Sequence, residues 1–580
     1  MFKLVPYSQY PINVNDSLQR ARRHISFVKL WNESICYYPE QLNPNSIDLC
    51  RFVMDTPSCA YFVYYIDYLK LMFCTLDLNW HSAYMIVVVL SLLFGYSLLY
   101  MITKYFCLPN FMMLMKLLPI SSYAYSFVHF GFCLFTWKYL NFWLICPYEN
   151  EYKASLILSK QIGDALRYFV VGIMVLCLSG GHRVQSVLWW NNMAFIFIGF
   201  IYLLWLVRTK YQIFSERHLA YSDSHMLRFH AWALLLIFIL VLLLVLVISY
   251  YNIQRRKQLG KTESAENESE MDEIDANSDL ASDAEITGSA PRREDLDSFQ
   301  IWWSAVNGLS HMKEPFKIIV VLFTPFYFVL AIIIPVLDEK RQMNGWCKPV
   351  VLVSLLVFPV LFIGLMPDPN TWIAVLICSW IMAFLVHISF HSLSEPNLVW
   401  LSVFCIVGTI VCSVCLHSLI REIDNLAWQY LSIRFHSIPD LICLMFLSSG
   451  EMLCAFVMLL YLKRYKLFDA AYGLVMGLVT YTIYTTLPLL TLNNCYNEQT
   501  YIMCTAHTET CYTFFMVIFL GTLFHVSMCG NEFRISLFYY LTIMYVTYVF
   551  FQLAAYIHWV YPFGSLHSIR PPKETANHWA

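Results

Sequence analysis

The stretch AWALLLIFILVLLLVLVISYY, from Ala231 to Tyr251, runs for 21 residues without a charge or a proline. A helix rises about 1.5 Å per residue, so such a stretch crosses a hydrocarbon core of about 30 Å. Inside the bilayer the backbone must satisfy its own hydrogen bonds, and a helix does so within one segment. Similar blocks lie on either side. Before it they cover about 83–102, 122–146, 165–178 and 193–207. After it they cover about 316–337, 349–365, 372–390, 398–419, 438–462, 468–490, 512–528 and 535–557. The pattern predicts an all-α, polytopic transmembrane protein of about 13 membrane helices.

Composition agrees. Of 580 residues, 59% are hydrophobic and 13% charged, against roughly 25% charged in soluble domains. A formal net charge of −2 leaves no nucleic-acid footprint. The chain divides into an N-terminal tail with a Cys-containing segment (1–82), a first transmembrane half (83–251), a central loop with an interfacial segment (252–315), a second transmembrane half (316–560) and a C-terminal tail (561–580). The central loop opens on Arg255, Arg256, Lys257 and Lys261 and continues as the acidic run ESAENESEMDEIDANSDLASDAE. Low hydrophobicity with high charge predicts disorder there, from about Gly260 to Phe299, and Trp302 and Trp303 beyond it suit a headgroup belt. The basic cluster places this loop on the inner side, and five helices then place the N-terminal cysteines outside. Arg208, Lys210, Arg217 and Arg228 would also lie outside, against that rule.

The N-terminal stretch SLQRARRHISFVKL (Ser17 to Leu30) is rich in arginine and free of acid, compatible with mitochondrial targeting or with an ordinary basic tail. Of 19 cysteines, most lie in apolar blocks and read as small hydrophobes, Cys405, Cys412 and Cys415 among them. Cys50, Cys59 and Cys74 precede the first block, where two of them could pair in an oxidising compartment.

Two hydrophobic halves around a charged loop match the plan of secondary transporters built as inverted repeats, with the site where broken helices meet. Pro109 and Pro119 mark expected breaks at the entry to the second block. The candidate pair is HFGFCLFTWKYL (His129 to Leu140) and IPDLICLMFLSSGEMLCAF (Ile438 to Phe456). In the latter, Glu451 follows Ser448, Ser449 and Gly450. A carboxylate in mid-membrane faces a cavity or a partner, and two hydroxyls beside a loosening glycine could complete an oxygen shell for a hard cation. The other reading is a neutral, hydrogen-bonded Glu. Lys138 in the first block reads as a snorkelling side chain. Asp164 and Arg167 share a helical face at a helix start and read as a structural ion pair. His387 and His391 share a face but have no third ligand. No phosphate loop, nucleophile elbow or HExxH is present, so nothing argues for an enzyme or a resident cofactor.

Four segments carry a resemblance: CRFVMDTPSCAYFVYYIDYLKLMFC (Cys50 to Cys74), KYFCLPNF (Lys104 to Phe111), IIIPVLDEKRQMNGWCKP (Ile332 to Pro349) and KRYKLFDAAYGLVMG (Lys463 to Gly477). In this order the chain resembles the calcium/cation antiporters, and within them the mitochondrial sodium/calcium exchanger branch. The resemblance implies two inverted repeats, antiport of Ca²⁺ against Na⁺ by alternating access, a role in calcium homeostasis and a place in the mitochondrial inner membrane, with plasma membrane or endomembrane as alternatives. The departures fall at the repeats. The family's GNGAPD corresponds to the region of GFCLFTWK, which lacks acid and amide, and its GNSIGD corresponds to GEMLCA, with Glu451 at the Asn position and Ala455 at the Asp position. A transport-inactive or altered-specificity paralogue is therefore the second reading. A ligand-gated channel or chemoreceptor, prompted by the Tyr- and Phe-rich composition, is the third.

Overall fold

The computed structural model describes residues 46–55, 65–76, 81–133, 151–208, 224–266, 317–338, 346–361, 369–390, 396–434, 439–492, 499–502 and 506–563, apart from a few isolated positions, and 59 and 63 singly. Before the first apolar block stands α1 (Ser46–Asp55). The first half then holds α2 (His81–Ile102), α3 (Leu108–Leu117), an unlabelled helical stretch at 122–129, α4 (Glu151–Cys177), α5 (Ser186–Arg208) and α6 (Arg228–Glu266). The second half holds α7 (Lys317–Ile333), α8 (Lys348–Leu361), α9 (Pro369–Ser389), α10 (Leu398–Arg434), α11 (Pro439–Met445), α12 (Ser449–Arg464), α13 (Phe468–Leu492), α14 (Ala506–Met528) and α15 (Ile535–Tyr556). Among the described residues, nine helices are long and apolar enough to cross a membrane, and the exposed faces of α6, α9 and α15 are apolar, as lipid requires.

Several helices differ from their sequence expectation. Pro109 does not break its helix. A π-helical turn at Thr103–Cys107 absorbs the missing N–H, and α2 runs into α3 as one 35-residue span from Ala83 to Leu117. The bend falls later, at Leu118 to Ile120, around Pro119. Helix α6 does not stop at Tyr251 but continues to Glu266, through the first part of the segment expected to be disordered. The rest of the acidic run, with Trp302 and Trp303, lies outside the described residues. Helix α4 is longer than its apolar block and is not among the nine, because five charged side chains lower its hydropathy. Yet it is almost wholly buried from Leu156 onward.

The chain is not purely helical. β1 (His182–Arg183) pairs with β4 (Glu532–Phe533), and β2 (Ser224–Leu227) pairs with β3 (Gln499–Ile502), both antiparallel. These clips tie turns that leave the apolar helices, where backbone groups need partners. Helix α4 packs against β3 and β4, one from each clip, so it runs the depth of the bundle.

The core is organised on α4 and α13, which pack on each other. Glycines set the closest crossings. A Cβ at Gly473 would stand 2.3 Å from the carbonyl oxygen of Tyr123, and one at Gly477 would stand 2.4 Å from that of Phe127. The stretch 122–129 thus lies directly on the backbone of α13. On the other side, a Cβ at Gly163 of α4 would stand 2.5 Å from the carbonyl oxygen of Leu444 in α11. Each short helix of one half therefore rides on the central helix of the other half, through a glycine, as small residues permit between membrane helices. A Gly473→Val variant is expected to lose about 1–3 kcal/mol or more, because a backbone carbonyl cannot rotate away. A fall in the thermal midpoint of the detergent-solubilised protein reads this out, and an unchanged midpoint would contradict the crossing.

Outside this core, Cys50 and Cys74 form a disulfide, and Cys59 is disulfide-bonded as well. The stapled segment lies on one stripe of α10. Glu422 accepts from Tyr65 N–H and Tyr68 Oη, Asn425 donates to the carbonyl of Ile66, and Gln429 accepts from Leu69 N–H. Burial, with the Glu422 carboxylate beside it, pushes the Tyr68 phenol well above its ordinary range. Two of the segments that carry the family resemblance also meet. Asn110 donates to the carbonyl of Pro335 and accepts from Leu337 N–H.

Candidate functional site

Helix α11 ends at Met445 and α12 begins at Ser449, so the block that reads as one helix is broken. Ser448 sits in the break with φ 64°, a left-handed conformation that costs a non-glycine residue energy. Two hydrogen bonds hold it. Its N–H donates to Asp424 Oδ1 at 3.0 Å, and its Oγ donates to Asp164 Oδ2 at 2.9 Å. The break exposes carbonyls that an unbroken helix would have satisfied. Arg167 takes two of them, donating to the carbonyl of Met445 at 3.0 Å and to that of Leu447, and it also pairs with Asp164.

Asp164 is the middle residue of the 27-residue α4, so this chemistry lies halfway through the bundle. One turn before it, Lys160 Nζ donates to Asp424 Oδ2 at 2.8 Å. Glu451, on the first turn of α12, accepts from Tyr168 Oη at 2.9 Å. Lys160 lies in the field of all three carboxylates, Asp424, Glu451 and Asp164. All five ionisable groups are at most 7% exposed. With the carboxylates ionised, the cluster carries three negative and two positive charges, a formal excess of one negative charge. Burying charge is expensive unless it is paired and hydrogen-bonded, and here every member has a bonded partner.

The expected site residues are only partly placed as the sequence implied. Glu451 and Ser448 are in this cluster. Ser449 Oγ is bonded to Tyr96 Oη, and Gly450 packs against Leu99 of α2. The chain opens at Phe446 to Ser448 rather than at Gly450, because Arg167 and Asp164 stabilise the break there. Glu451 is not the sole interior carboxylate. Asp164 and Arg167 do pair, but at the centre of a helix rather than its start. Gly131 meets Tyr481 of α13, not the block around Gly450. The reason is the crossed packing described above. Lys138 and His391 lie outside the described residues. His387 lends its carbonyl to Lys348 Nζ. Cys405, Cys412 and Cys415 are free thiols in α10.

Sequence reasoning missed Lys160 and Asp424. One signal was present: Lys160, Asp164 and Arg167 recur at i, i+4 and i+7 in the otherwise uncharged run LILSKQIGDALRYF, all on one helical face. No comparable signal marks Asp424, which lies past the apolar part of α10.

No protein-family model and no curated protein matches this chain. Among solved structures, it is similar to the sodium-calcium exchanger NCX_Mj soaked with 10 mM Na⁺ and zero Ca²⁺, at 10% identity, over 80% of this chain and 98% of that one, with a TM-score of 0.36. A superposition that loose assigns neither a mechanism nor an ion to this chain.

Proposed function

We propose that this chain is a membrane carrier of the cation-antiporter type in which Lys160 stands as a resident cation, so that the specificity is altered from Ca²⁺/Na⁺ exchange toward monovalent cations or protons. The observation that carries this is the Lys160–Asp424 pair beside Glu451, at a helix break halfway through the bundle. Broken helices in a membrane bundle present backbone and side-chain oxygens to ions, and intramembrane carboxylates mark ion paths. A Ca²⁺ ion needs about 6–8 oxygens. Here two carboxylates are already bonded to basic side chains, and a divalent ion added to an excess of one negative charge would leave buried positive charge uncompensated. A single monovalent cation or proton balances the cluster.

Flux in reconstituted vesicles tests this. Wild-type protein is expected to move Na⁺ or H⁺ and to show no Na⁺-driven Ca²⁺ uptake. Glu451→Gln removes the excess charge and is expected to abolish the monovalent flux. Robust Na⁺-driven Ca²⁺ uptake, unchanged by Glu451→Gln, would overturn the reading.

A further inference from the structure

We infer that the stapled N-terminal segment is a strap that seats Asp424 in the buried cluster and restrains the movement of α10. Glu422, Asn425 and Gln429 form one stripe of α10, at i, i+3 and i+7. All three are bonded to the stapled segment. Glu422 accepts from Tyr65 N–H at 3.1 Å and from Tyr68 Oη at 2.6 Å, Asn425 donates to the carbonyl of Ile66 at 2.7 Å, and Gln429 accepts from Leu69 N–H at 3.0 Å. Asp424 lies within this stripe in sequence but not in space. At 3.6 residues per turn it stands about 200° around the helix from Glu422. There it accepts from Lys160 Nζ at 2.8 Å and from Ser448 N–H at 3.0 Å. The same turns of α10 are thus gripped by the strap on one side and by the buried cluster on the other. A helix turns or slides as a unit, so a movement that carries Asp424 off Lys160 also pulls on the strap.

The strap is anchored away from α10 as well. Tyr84 Oη of α2 donates to the carbonyl of Tyr68 at 3.1 Å, and Tyr84 and Met85 pack on the small core of Val53, Cys59, Leu69, Met72 and Phe73. The segment therefore ties α10 to α2, the helix on which α10 packs. Cys50 and Cys74, 24 apart in sequence, close a loop around these contacts. Closing that loop removes chain freedom that docking on α10 would otherwise have to remove, so the closed segment docks more firmly than a loose tail. On the transport reading a seated Asp424 is a cluster at rest, and the strap acts as a brake. That consequence alone rests on the transport reading.

The test is amide hydrogen exchange of the detergent-solubilised full chain, read at residues 420–431 of α10, at the Ser448 amide and along α13. Exchange separates local opening from global unfolding. The Ser448 amide lies in the break between α11 and α12 and donates to Asp424, so it reports the seat of Asp424 rather than the strap itself. Tyr68→Phe keeps the ring and removes a hydrogen bond to a carboxylate, and is expected to speed exchange at α10 and at Ser448 about tenfold. Cys50→Ser/Cys74→Ser opens the staple without touching a strap hydrogen bond and should act in the same direction, so the result does not hang on one variant. Arg51→Gln, which removes only a surface pair with Asp55, should behave as wild type. Exchange along α13 should not change in any of them. Unchanged exchange at Ser448 in both strap variants, or an equal rise along α13, would overturn the inference. In vesicles, monovalent flux should rise in both strap variants, and a flux that is present but unchanged while Ser448 loosens would overturn the brake. Absence of flux from the wild type would count against the transport reading alone, and the Ser448 amide would still decide the strap.

Discussion

Lys160→Ala is expected to give Ca²⁺ binding that the wild-type protein is expected to lack. Removing the ammonium frees Asp424 and raises the formal excess of the cluster from one negative charge to two, the charge of one Ca²⁺. The vacated position lies against Asp424, in the field of Glu451 and Asp164. Without Ca²⁺ the variant should be less stable by about 3–5 kcal/mol, because a buried carboxylate has lost its partner. With Ca²⁺ at 100 times its dissociation constant, about 2.7 kcal/mol should return. The measurement is the thermal midpoint of purified protein with and without Ca²⁺, beside radiolabelled Ca²⁺ uptake into vesicles. A Ca²⁺-dependent rise in the variant alone supports Lys160 as the resident cation. A variant that stays folded and ignores Ca²⁺ would refute that role.

Arg167→Met should produce a large loss of stability. The guanidinium pairs with Asp164 and satisfies two carbonyls at the end of α11. Methionine keeps most of the volume but leaves a buried carboxylate without its charge partner, with only the Ser448 hydroxyl still donating to it, and takes the donor from two buried carbonyls. Breaking a buried pair from one side costs about 3–5 kcal/mol. Arg167→Lys should recover less than half of it, since one ammonium cannot serve a carboxylate and two carbonyls in the planar geometry of the fork. Thermal midpoints of the two variants check this. If Arg167→Lys matches wild type, then Arg167 acts only as a point charge, and the break in the helix is held by other contacts.

Much of the architecture is legible in the amino-acid sequence. Wherever they are described, the apolar blocks from 83 to 557 fall on helix, save at their ends and at the break from Phe446 to Ser448. Crossing a bilayer depends on length and local polarity alone, and both are properties of a single segment. The bilayer criterion fails in one direction. It under-reads α4, whose buried charges cancel against one another, Asp164 with Arg167, and against Asp424 of α10. Nor does it foresee the π turn that carries the helix across Pro109, since that depends on local backbone rearrangement rather than on residue type.

The buried cluster belongs to the other category. Glu451 and Ser448 could be singled out from sequence because a carboxylate beside hydroxyls stands out in an apolar block. Their partners could not. Lys160 and Asp424 are 264 residues apart, and Ser448 and Asp164 are 284 apart. By itself the sequence determined the helical class, the membrane setting and the presence of an intramembrane carboxylate, each legible within one stretch of chain. Only the tertiary structure decided which charges neutralise one another and where the helix breaks. Charge compensation in a low-dielectric interior is a property of pairs in space, and a linear pattern does not encode it.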